Sequence, residues 1–258
     1  MPLRAEVASR WMEDWTGIAD EMETQLRDLG TPERAAGTRR YLKHDLDHLG
    51  ATVWQVRRVV RATGDARPEF SRDDLIALAE ALWSKPVFER RLAAAMLLEA
   101  RVELLGPDDL GLLERLLRAS GTWALVDVLA GDVTGELVAR YPDAAARLDG
   151  WAADDDFWIR RSALLAMLVP LRRDASFDRF GRYADSMLDE KEFFIRKAIG
   201  WVLRETGKRR PQQVFEWLAP RTHRASGVTV REAVKYLEPK QREALLAAYK
   251  AKRPTSPD

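Results

Sequence analysis

The stretch FIRKAIGWVLRE, residues 194–205, has two relatives earlier in the same chain. FERRLAAAMLLE (88–99) and WIRRSALLAMLV (158–169) share its order, in which an aromatic residue precedes a basic pair and an apolar run with small side chains. The basic pairs begin at residues 90, 160 and 196, so successive copies lie 70 and 36 residues apart. Because a period of about 36 to 40 residues is typical of two-helix repeats, the sequence predicts an all-α helical solenoid, nearest to the HEAT type.

The remaining sequence fits a stack of antiparallel helices. Apolar residues recur at spacings of three and four, as in Leu75, Leu78 and Leu82, and strand-like alternation is nearly absent. Short clusters rich in Gly, Pro and Asp separate the helical segments, and none is long enough to act as a linker between domains. We therefore expect a single HEAT-like repeat domain over residues 1–249 and a disordered tail over residues 250–258.

The composition excludes several classes of function. Lys and Arg number 42 against 41 Asp and Glu, so a basic site has to come from local clustering rather than from total charge. The chain has no cysteine, which excludes disulfides, thiolate nucleophiles and Cys-ligated metals. Phosphate-binding loops and the GxSxG motif are also absent, and neither a secretory signal nor a membrane span is expected. These features predict a soluble, cytoplasmic protein.

The basic pairs of the three copies allow two interpretations. Equivalent positions of successive repeats line one surface, so Arg90–Arg91, Arg160–Arg161 and Arg196–Lys197 are predicted to form a stripe suited to phosphate oxygens. Alternatively, one Arg of each pair joins neighbouring repeats by pairing with Asp or Glu. The residues alone favour neither interpretation.

The segment TWALVDVLAGDV (122–133) falls near the expected place of a further repeat but lacks the basic pair. It carries Trp123 and Asp127 instead, which are four residues apart and therefore share one helix face. An Asp in an apolar run has to offset its desolvation, and a structural explanation is a pairing with Arg or with a helix end. The functional explanation is a carboxylate beside an aromatic wall, which is suited to stabilising a developing cation.

Other candidate residues are few. Trp201 and Tyr41 are aromatic residues in basic surroundings. His44 and His48 are four residues apart with Asp45 and Asp47 nearby, which raises the question of a metal site. Surface or capping roles explain these histidines more simply, so no metal site is predicted.

Three segments together resemble a known family: RRYLKHDLDHLG (39–50), KEFFIRKAIGWVLRE (191–205), which is the most specific, and REAVKYL (231–237). The chain resembles the DNA alkylation repair enzymes of the HEAT-like repeat family, the alkylpurine DNA glycosylases of the AlkD type. This resemblance covers most of the chain. It implies a right-handed superhelical solenoid of antiparallel HEAT-like helical repeats with a concave DNA-binding cleft.

The resemblance also assigns roles to individual residues. In this family a Trp and an Asp four residues later form the active site, and they match Trp123 and Asp127. A second active-site Trp matches Trp201, a phosphate-binding Arg matches Arg161, and a cleft-lining Tyr matches Tyr41. We expect further DNA contacts from the basic neighbours of these residues, namely Arg160, Lys197 and Arg204.

The activity implied by the resemblance is hydrolysis of the N-glycosidic bond of cationic N3- or N7-alkylated purines, including bulky adducts. The family works without a base-flipping pocket. We expect a monofunctional enzyme that needs no cofactor, acts as a monomer on alkylated double-stranded DNA and leaves an abasic site, in the cytoplasm or at the nucleoid of a bacterium. Two alternatives are a self-resistance glycosylase specialised for bulky natural-product adducts and a non-catalytic HEAT module that binds DNA or protein.

Overall fold

The computed structural model describes residues 14–251, which divide into two compact units with the chain boundary between Leu104 and Leu105. The N-terminal unit is helical, with one isolated β-bridge between Asp47 and Val87. Its helices are α1 (Trp15–Leu29), α2 (Pro32–Leu42), α3 (Val53–Asp65), α4 (Arg72–Trp83), α5 (Phe88–Ala100) and a 3₁₀ turn (Val102–Leu104).

The C-terminal unit is also helical, and one of its segments is a π-helix. Its α-helices are α6 (Leu110–Arg118), α7 (Trp123–Asp127), α8 (Gly135–Arg140), α9 (Ala145–Trp151), α10 (Phe157–Leu165), α11 (Leu168–Arg172), α12 (Asp178–Ser186), α13 (Phe193–Gly207), α14 (Pro211–Leu218), α15 (Gly227–Ala233) and α16 (Pro239–Ala251). The π-helix spans Val128–Thr134, and 3₁₀ turns span Pro107–Asp109, Pro142–Ala144, Ala219–Arg221 and Val234–Tyr236.

The helix ends follow local capping rules. Thr52 begins α3 with a capping box, in which its hydroxyl accepts from the backbone of Gln55 and the Gln55 side chain accepts in return. Ser71 and Asp74 form the same arrangement at the start of α4. The last helix includes Lys250 and Ala251, so the first two residues of the predicted tail are helical; residues 252–258 lie outside the described part of the chain.

Helix pairs stack in the C-terminal unit. Helix α10 packs against α6, α7, α9, α12 and α13, while α13 also packs against α14 and α15. The core between them is apolar, with Leu129, Ile159 and Ile199 completely buried. This arrangement confirms the all-α fold of helical repeats predicted from the internal sequence similarity.

Ion pairs between neighbouring repeats recur at the repeat length. Arg118 pairs with Asp154, Arg173 with Glu136 and Arg224 with Asp189, at distances of 2.6–2.7 Å and separations of 36, 37 and 35 residues. Tyr183 and Asp149, which are 34 residues apart, are joined by a hydrogen bond of 2.5 Å. Charged side chains outside the three basic pairs therefore join successive repeats.

The N-terminal unit uses Arg90 in a similar way. Arg90 is completely buried within this unit, and its Nη1 contacts Asp20 at 2.6 Å and Glu23 at 2.7 Å on α1. Its guanidinium also donates to the carbonyls of Ala81 and Leu82 at the end of α4. This arginine therefore joins α1, α4 and α5, and its positive charge is paired with the carboxylates of Asp20 and Glu23.

Helices α13 and α15 approach closely because Gly200 has no side chain. A Cβ atom at this position would lie 2.8 Å from the Cβ of Glu232 and 3.1 Å from the Cα of Thr229. In the same contact the Thr229 hydroxyl donates to the Arg196 carbonyl at 3.0 Å. The glycine next to Trp201 thus sets the distance between these two helices and brings Glu232 beside the basic residues of α13.

Candidate active site

The helix that carries Trp123 and Asp127 changes its pitch directly after Asp127. The backbone N–H of Gly135 donates to the carbonyl of Ala130, five residues earlier, as in a π-helix. The Thr134 hydroxyl supports the wider turn by donating to the carbonyl of Leu129 at 2.8 Å. Such segments are rare and occur often at functional sites. The repeat that departs from the sequence pattern is therefore also irregular in its backbone.

Asp127 is held by a bidentate pair with Arg161 of α10. The Nε of Arg161 lies 2.9 Å from Oδ1, and Nη2 lies 3.0 Å from Oδ2. Both side chains are largely buried, since that of Arg161 is 3% exposed and that of Asp127 is 17% exposed. A carboxylate has about four lone-pair sites, so two acceptor positions of Asp127 remain for another group.

The charge of Asp127 is set by opposing effects. Burial raises the pKa of its carboxyl group above the ordinary value of 3.8, and the negative charge of Asp132 adds to this increase. The positive charge and the hydrogen bonds of Arg161 lower the pKa and so oppose the increase. Asp132 lies five residues later in the π-helix, one turn away from Asp127. The site therefore contains a partly desolvated carboxylate whose ionised form is stabilised by Arg161.

Arg161 also links Asp127 to α13. Its Nη1 donates to the carbonyl of Phe194 at 2.5 Å, and its guanidinium lies 5.8 Å from the centre of the Phe194 ring. Phe194 in turn contacts Trp158 of α10, with ring centres 4.9 Å apart. Thus α7, α10 and α13 meet at one buried arginine, and an aromatic cluster adjoins it.

Trp201 lies seven residues after Phe194, which places both on the same face of α13 about 10.5 Å apart along the helix axis. Lys197 and Arg204 share this face, and Trp201 stands between them. Both cations bind the carboxylate of Glu232, Lys197 at 2.8 Å and Arg204 at 2.5 Å. The half-buried indole is thus surrounded by cations whose positions are fixed by α15.

Glu232 receives a third cation, Lys235, at 3.0 Å. Burial alone would raise the pKa of Glu232, but the hydrogen bonds from Lys197 and Lys235 and the charges of Lys197 and Arg204 outweigh it and hold this pKa at about 2. Arg204 also contacts Glu205 at 3.3 Å. Three cations therefore face two carboxylates, and the surface around Trp201 keeps an excess of positive charge.

We expect the Glu232→Gln variant to be less stable than the wild type by about 2 kcal/mol at neutral pH. Because folding lowers the pKa of Glu232 from 4.5 to about 2, its stabilisation is fully present above pH 4.5 and is lost as the pH falls through 2. Urea unfolding of both proteins at several pH values measures this. A difference that stays constant down to the lowest pH would contradict the assignment to the Glu232 charge.

The other predicted DNA-binding residues have defined positions. Arg160 forms a bidentate pair with Glu190, at 2.9 and 2.8 Å, and donates to the carbonyls of Asp154 and Asp155. Tyr41 lies in the last turn of α2 in the N-terminal unit and is 72% exposed. The structure thus brings together Asp127 with Arg161, and Lys197 with Arg204, whereas Arg160 lies in a separate ion pair.

The ion pairs of Arg160 and Arg161 limit how these side chains can contact DNA phosphates. Arg161 is a buried partner of Asp127, which is the structural alternative considered for this carboxylate, and Arg160 joins two parts of the C-terminal unit. Direct contact of Arg161 with a phosphate requires that its pair with Asp127 loosen, since its side chain is almost inaccessible. The binding of DNA by Arg160, Arg161, Lys197, Arg204 and Tyr41 remains a prediction.

The two histidines form a stack in the N-terminal unit. The rings of His44 and His48 are 4.9 Å apart, and both lie against Phe88. Burial, together with the charge of His44, lowers the pKa of His48 to about 4, so this imidazole is neutral at physiological pH. Among residues 14–251 no group of three or more His, Asp or Glu side chains is placed to hold a metal ion.

Some contributors to the site were not identified in the sequence. Glu232 and Glu190 fix the basic side chains, and Asp132 acts on the charge of Asp127. The signals that were available are REAVKYL, which contains Glu232, and the repeat length, since Lys197 and Glu232 are separated by 35 residues. Nothing in the local sequence indicates the π-helix.

The comparison with known families is decisive for the class of the protein. A model described as DNA alkylation repair enzyme matches residues 22–237, which is more than half of the chain. The chain belongs to the DNA alkylation repair enzyme family. A role in the repair of alkylated DNA, and hence DNA binding, follows from this membership, and the resemblance noted in the sequence is confirmed.

A solved structure described as a predicted DNA alkylation repair enzyme from Enterococcus faecalis is similar to this member of the DNA alkylation repair family. The two are 25% identical, with a TM-score of 0.74 over 81% of this chain and 97% of the other. No curated protein sequence showed significant similarity. None of the helices within residues 14–251 is long and apolar enough to cross a membrane.

Proposed function

We propose that this member of the DNA alkylation repair family is a monofunctional DNA glycosylase that removes cationic N3- and N7-alkylated purines. The observation that carries the proposal is the Asp127 carboxylate, which is largely buried, paired with Arg161 and located on the same helix face as Trp123. The pair with Arg161 also links α7 to α10, so the rate of base release after substitution of Asp127 is what separates a catalytic role from a structural one.

The chemistry needs little acid catalysis. Alkylation at N7 or N3 gives the purine a positive charge, so the electron pair of the breaking C1′–N9 bond leaves with the base and neutralises it. The deoxyribose then acquires oxocarbenium character, and a water molecule adds to C1′ and releases one proton to the solvent. Asp127 stabilises the developing cation and positions this water. The products are a neutral alkylpurine and an abasic site.

Arg161 keeps Asp127 in its reactive state. Burial disfavours the carboxylate, and the adjacent guanidinium opposes this effect. The bidentate contact also fixes the orientation of the carboxylate, as a preorganised catalytic group requires. In this proposal Arg161 acts through Asp127, in addition to any contact with DNA.

The two tryptophans have a separate role. Trp123 and Trp201 are both half-buried, so each has part of its indole accessible. An aromatic face attracts a cationic nucleotide by roughly 0.5–2 kcal/mol. The excess of positive charge from Lys197, Arg204 and Lys235 beside Trp201 favours the phosphates that flank such a nucleotide.

The direct test is release of modified bases by the purified protein. Duplex DNA treated with a small methylating agent and with a bulky alkylator is incubated with the protein, and the released bases are identified by mass spectrometry. We expect 3-methyladenine and 7-methylguanine from the methylated DNA, and release from the second DNA measures the size of adduct that the protein accepts. Binding of methylated DNA with no release of any base would instead support a non-catalytic module.

The pH dependence of base release reports on Asp127. Because burial raises the pKa of this carboxyl group, we expect the rate to fall on acidification at a pH above the ordinary value of 3.8. Asp132→Asn removes a negative charge that contributes to this increase, so the fall should move to lower pH. Single-turnover rates between about pH 4 and pH 8, corrected for spontaneous depurination, measure this. Identical profiles for the two proteins would contradict the coupling.

A further inference from the structure

Helix α3 of the N-terminal unit carries a stripe of one aromatic residue and three arginines. Trp54, Arg57, Arg58 and Arg61 follow the spacing of three, four and seven residues that places side chains on one helix face. The opposite face, with Val56, packs into the core of the unit. This stripe, here called the α3 stripe, was not among the residues singled out in the sequence.

The α3 stripe is exposed. Trp54 is 66% exposed, although a side chain of this size is normally placed where it can be buried. The guanidinium of Arg58 lies over the indole, 5.1 Å from the ring centre. Arg58 has no carboxylate partner among residues 14–251, and Arg61 is 84% exposed and reaches Asp65 at 3.5 Å. An exposed indole with arginines over and beside it is a chemical combination that suits a nucleic acid.

A groove of about 500 Å³ runs beside the stripe, between α3 and α5. Its apolar floor includes Val60, Met96 and Leu97, and Arg101 lies at its end and donates to the Gly64 carbonyl at 3.2 Å. Four arginines line the groove, and among residues 14–251 Asp65 is the one carboxylate in its lining. Glu99, just outside the lining, binds Arg57 at 3.0 Å, so four cations face two carboxylates. The groove therefore has a net positive charge in a protein whose total charge is nearly zero.

We propose that the α3 stripe and its groove bind the sugar–phosphate backbone of duplex DNA. Guanidinium groups match phosphate oxygens in geometry as well as charge, and Arg58 and Arg61 have the accessibility that Arg160 and Arg161 lack. The Trp54 indole lies against the deoxyribose of the same strand. The inference rests on the proposed action on DNA, and it names a contact surface outside the Asp127 site.

The two parts of the surface make different contributions, which a salt titration separates. Loss of phosphate contacts lowers the dependence of binding on salt by about one unit of slope per contact. The Arg58→Ala/Arg61→Ala double variant should therefore bind undamaged duplex DNA at least tenfold more weakly at low salt, with a slope reduced by about one to two units. Trp54→Ala should weaken binding about fivefold without changing the slope, because the indole displaces no counterion.

Matched controls keep this test specific. The Arg72→Ala/Arg242→Ala double variant removes the same charge from exposed positions on α4 and α16 and should bind like the wild type. Because undamaged DNA is used, the result does not depend on whether any base is released. A slope for Arg58→Ala/Arg61→Ala equal to that of the control variant overturns the inference, whether or not the glycosylase proposal holds. If the α3 stripe binds an acidic protein and not DNA, the Arg58→Ala/Arg61→Ala variant and the control variant will have equal slopes, which also overturns the inference.

Discussion

Asp127→Asn is expected to release alkylpurines at least about a hundredfold more slowly than the wild type, while its affinity for DNA changes little. The amide has the shape of the carboxylate, and its oxygen still accepts one hydrogen bond from Arg161, although its NH2 group cannot accept the second. One of the two hydrogen bonds between α7 and α10 is therefore retained. The amide has no negative charge to stabilise a developing oxocarbenium ion. Single-turnover release of 7-methylguanine from methylated duplex DNA measures the rate, and binding to the same DNA is measured separately.

Asp132→Asn is the matched control for this experiment. It removes a carboxylate from the same π-helix but leaves the pair between Asp127 and Arg161 in place. We expect its rate at neutral pH to stay within a few-fold of the wild type, since Asp132 acts on Asp127 only through its charge. Release by Asp127→Asn at the wild-type rate would remove Asp127 from the mechanism and with it the proposed chemistry.

Arg90→Met is expected to lower the stability of the N-terminal unit by about 3 kcal/mol. The substitution keeps an apolar side chain of similar length but leaves Glu23, whose side chain is 14% exposed, without its buried partner. It also removes the hydrogen bond from Arg90 to the Leu82 carbonyl, whereas the Ala81 carbonyl still accepts from the Ser84 hydroxyl at 2.7 Å. Lys85 remains near Asp20 and Glu23 and limits the loss. Thermal and urea unfolding, followed by circular dichroism, measure the change.

Arg27→Met provides the comparison for Arg90. Arg27 binds the same carboxylate, Glu23, at 2.7 Å, but its side chain is 62% exposed. An exposed pair of this kind contributes about 0.5 kcal/mol, so this variant should unfold almost as the wild type does. Equal effects of the two substitutions would show that burial of Arg90 does not determine its contribution.

The repeat architecture was predictable because the sequence shows both the similarity between repeats and the capping residues of individual helices. The copies at residues 88–99, 158–169 and 194–205 fall in α5, in the α10–α11 segment and in α13, as their common pattern of aromatic, basic and apolar residues indicated. Capping residues such as Ser71 stand directly before their helices. Periodicity and capping depend on neighbours in the sequence, and a sequence shows those neighbours directly.

The roles of the basic pairs were less predictable, since the partner of a cation lies in another repeat. Arg161 had two interpretations in the sequence, and its burial and its pair with Asp127 depend on how α7 and α10 pack. Arg58 and Trp54 show the converse case. Their exposure follows from the absence of a helix over that face of α3 within the N-terminal unit, which no local pattern reveals.

The π-helix between Val128 and Thr134 makes the site sensitive to the length of the chain. A turn with bonds to the fifth residue contains one residue more than an α-helical turn, so a chain shorter by one residue would close there as a regular α-helix. Each residue of an α-helix turns the chain by about 100° and advances it by about 1.5 Å. Relative to α8, the deletion would swing Asp127 away from Arg161 without altering either side chain. Homologues with a single-residue gap in this segment should therefore have a regular helix and no carboxylate–guanidinium pair, even where both residues are retained.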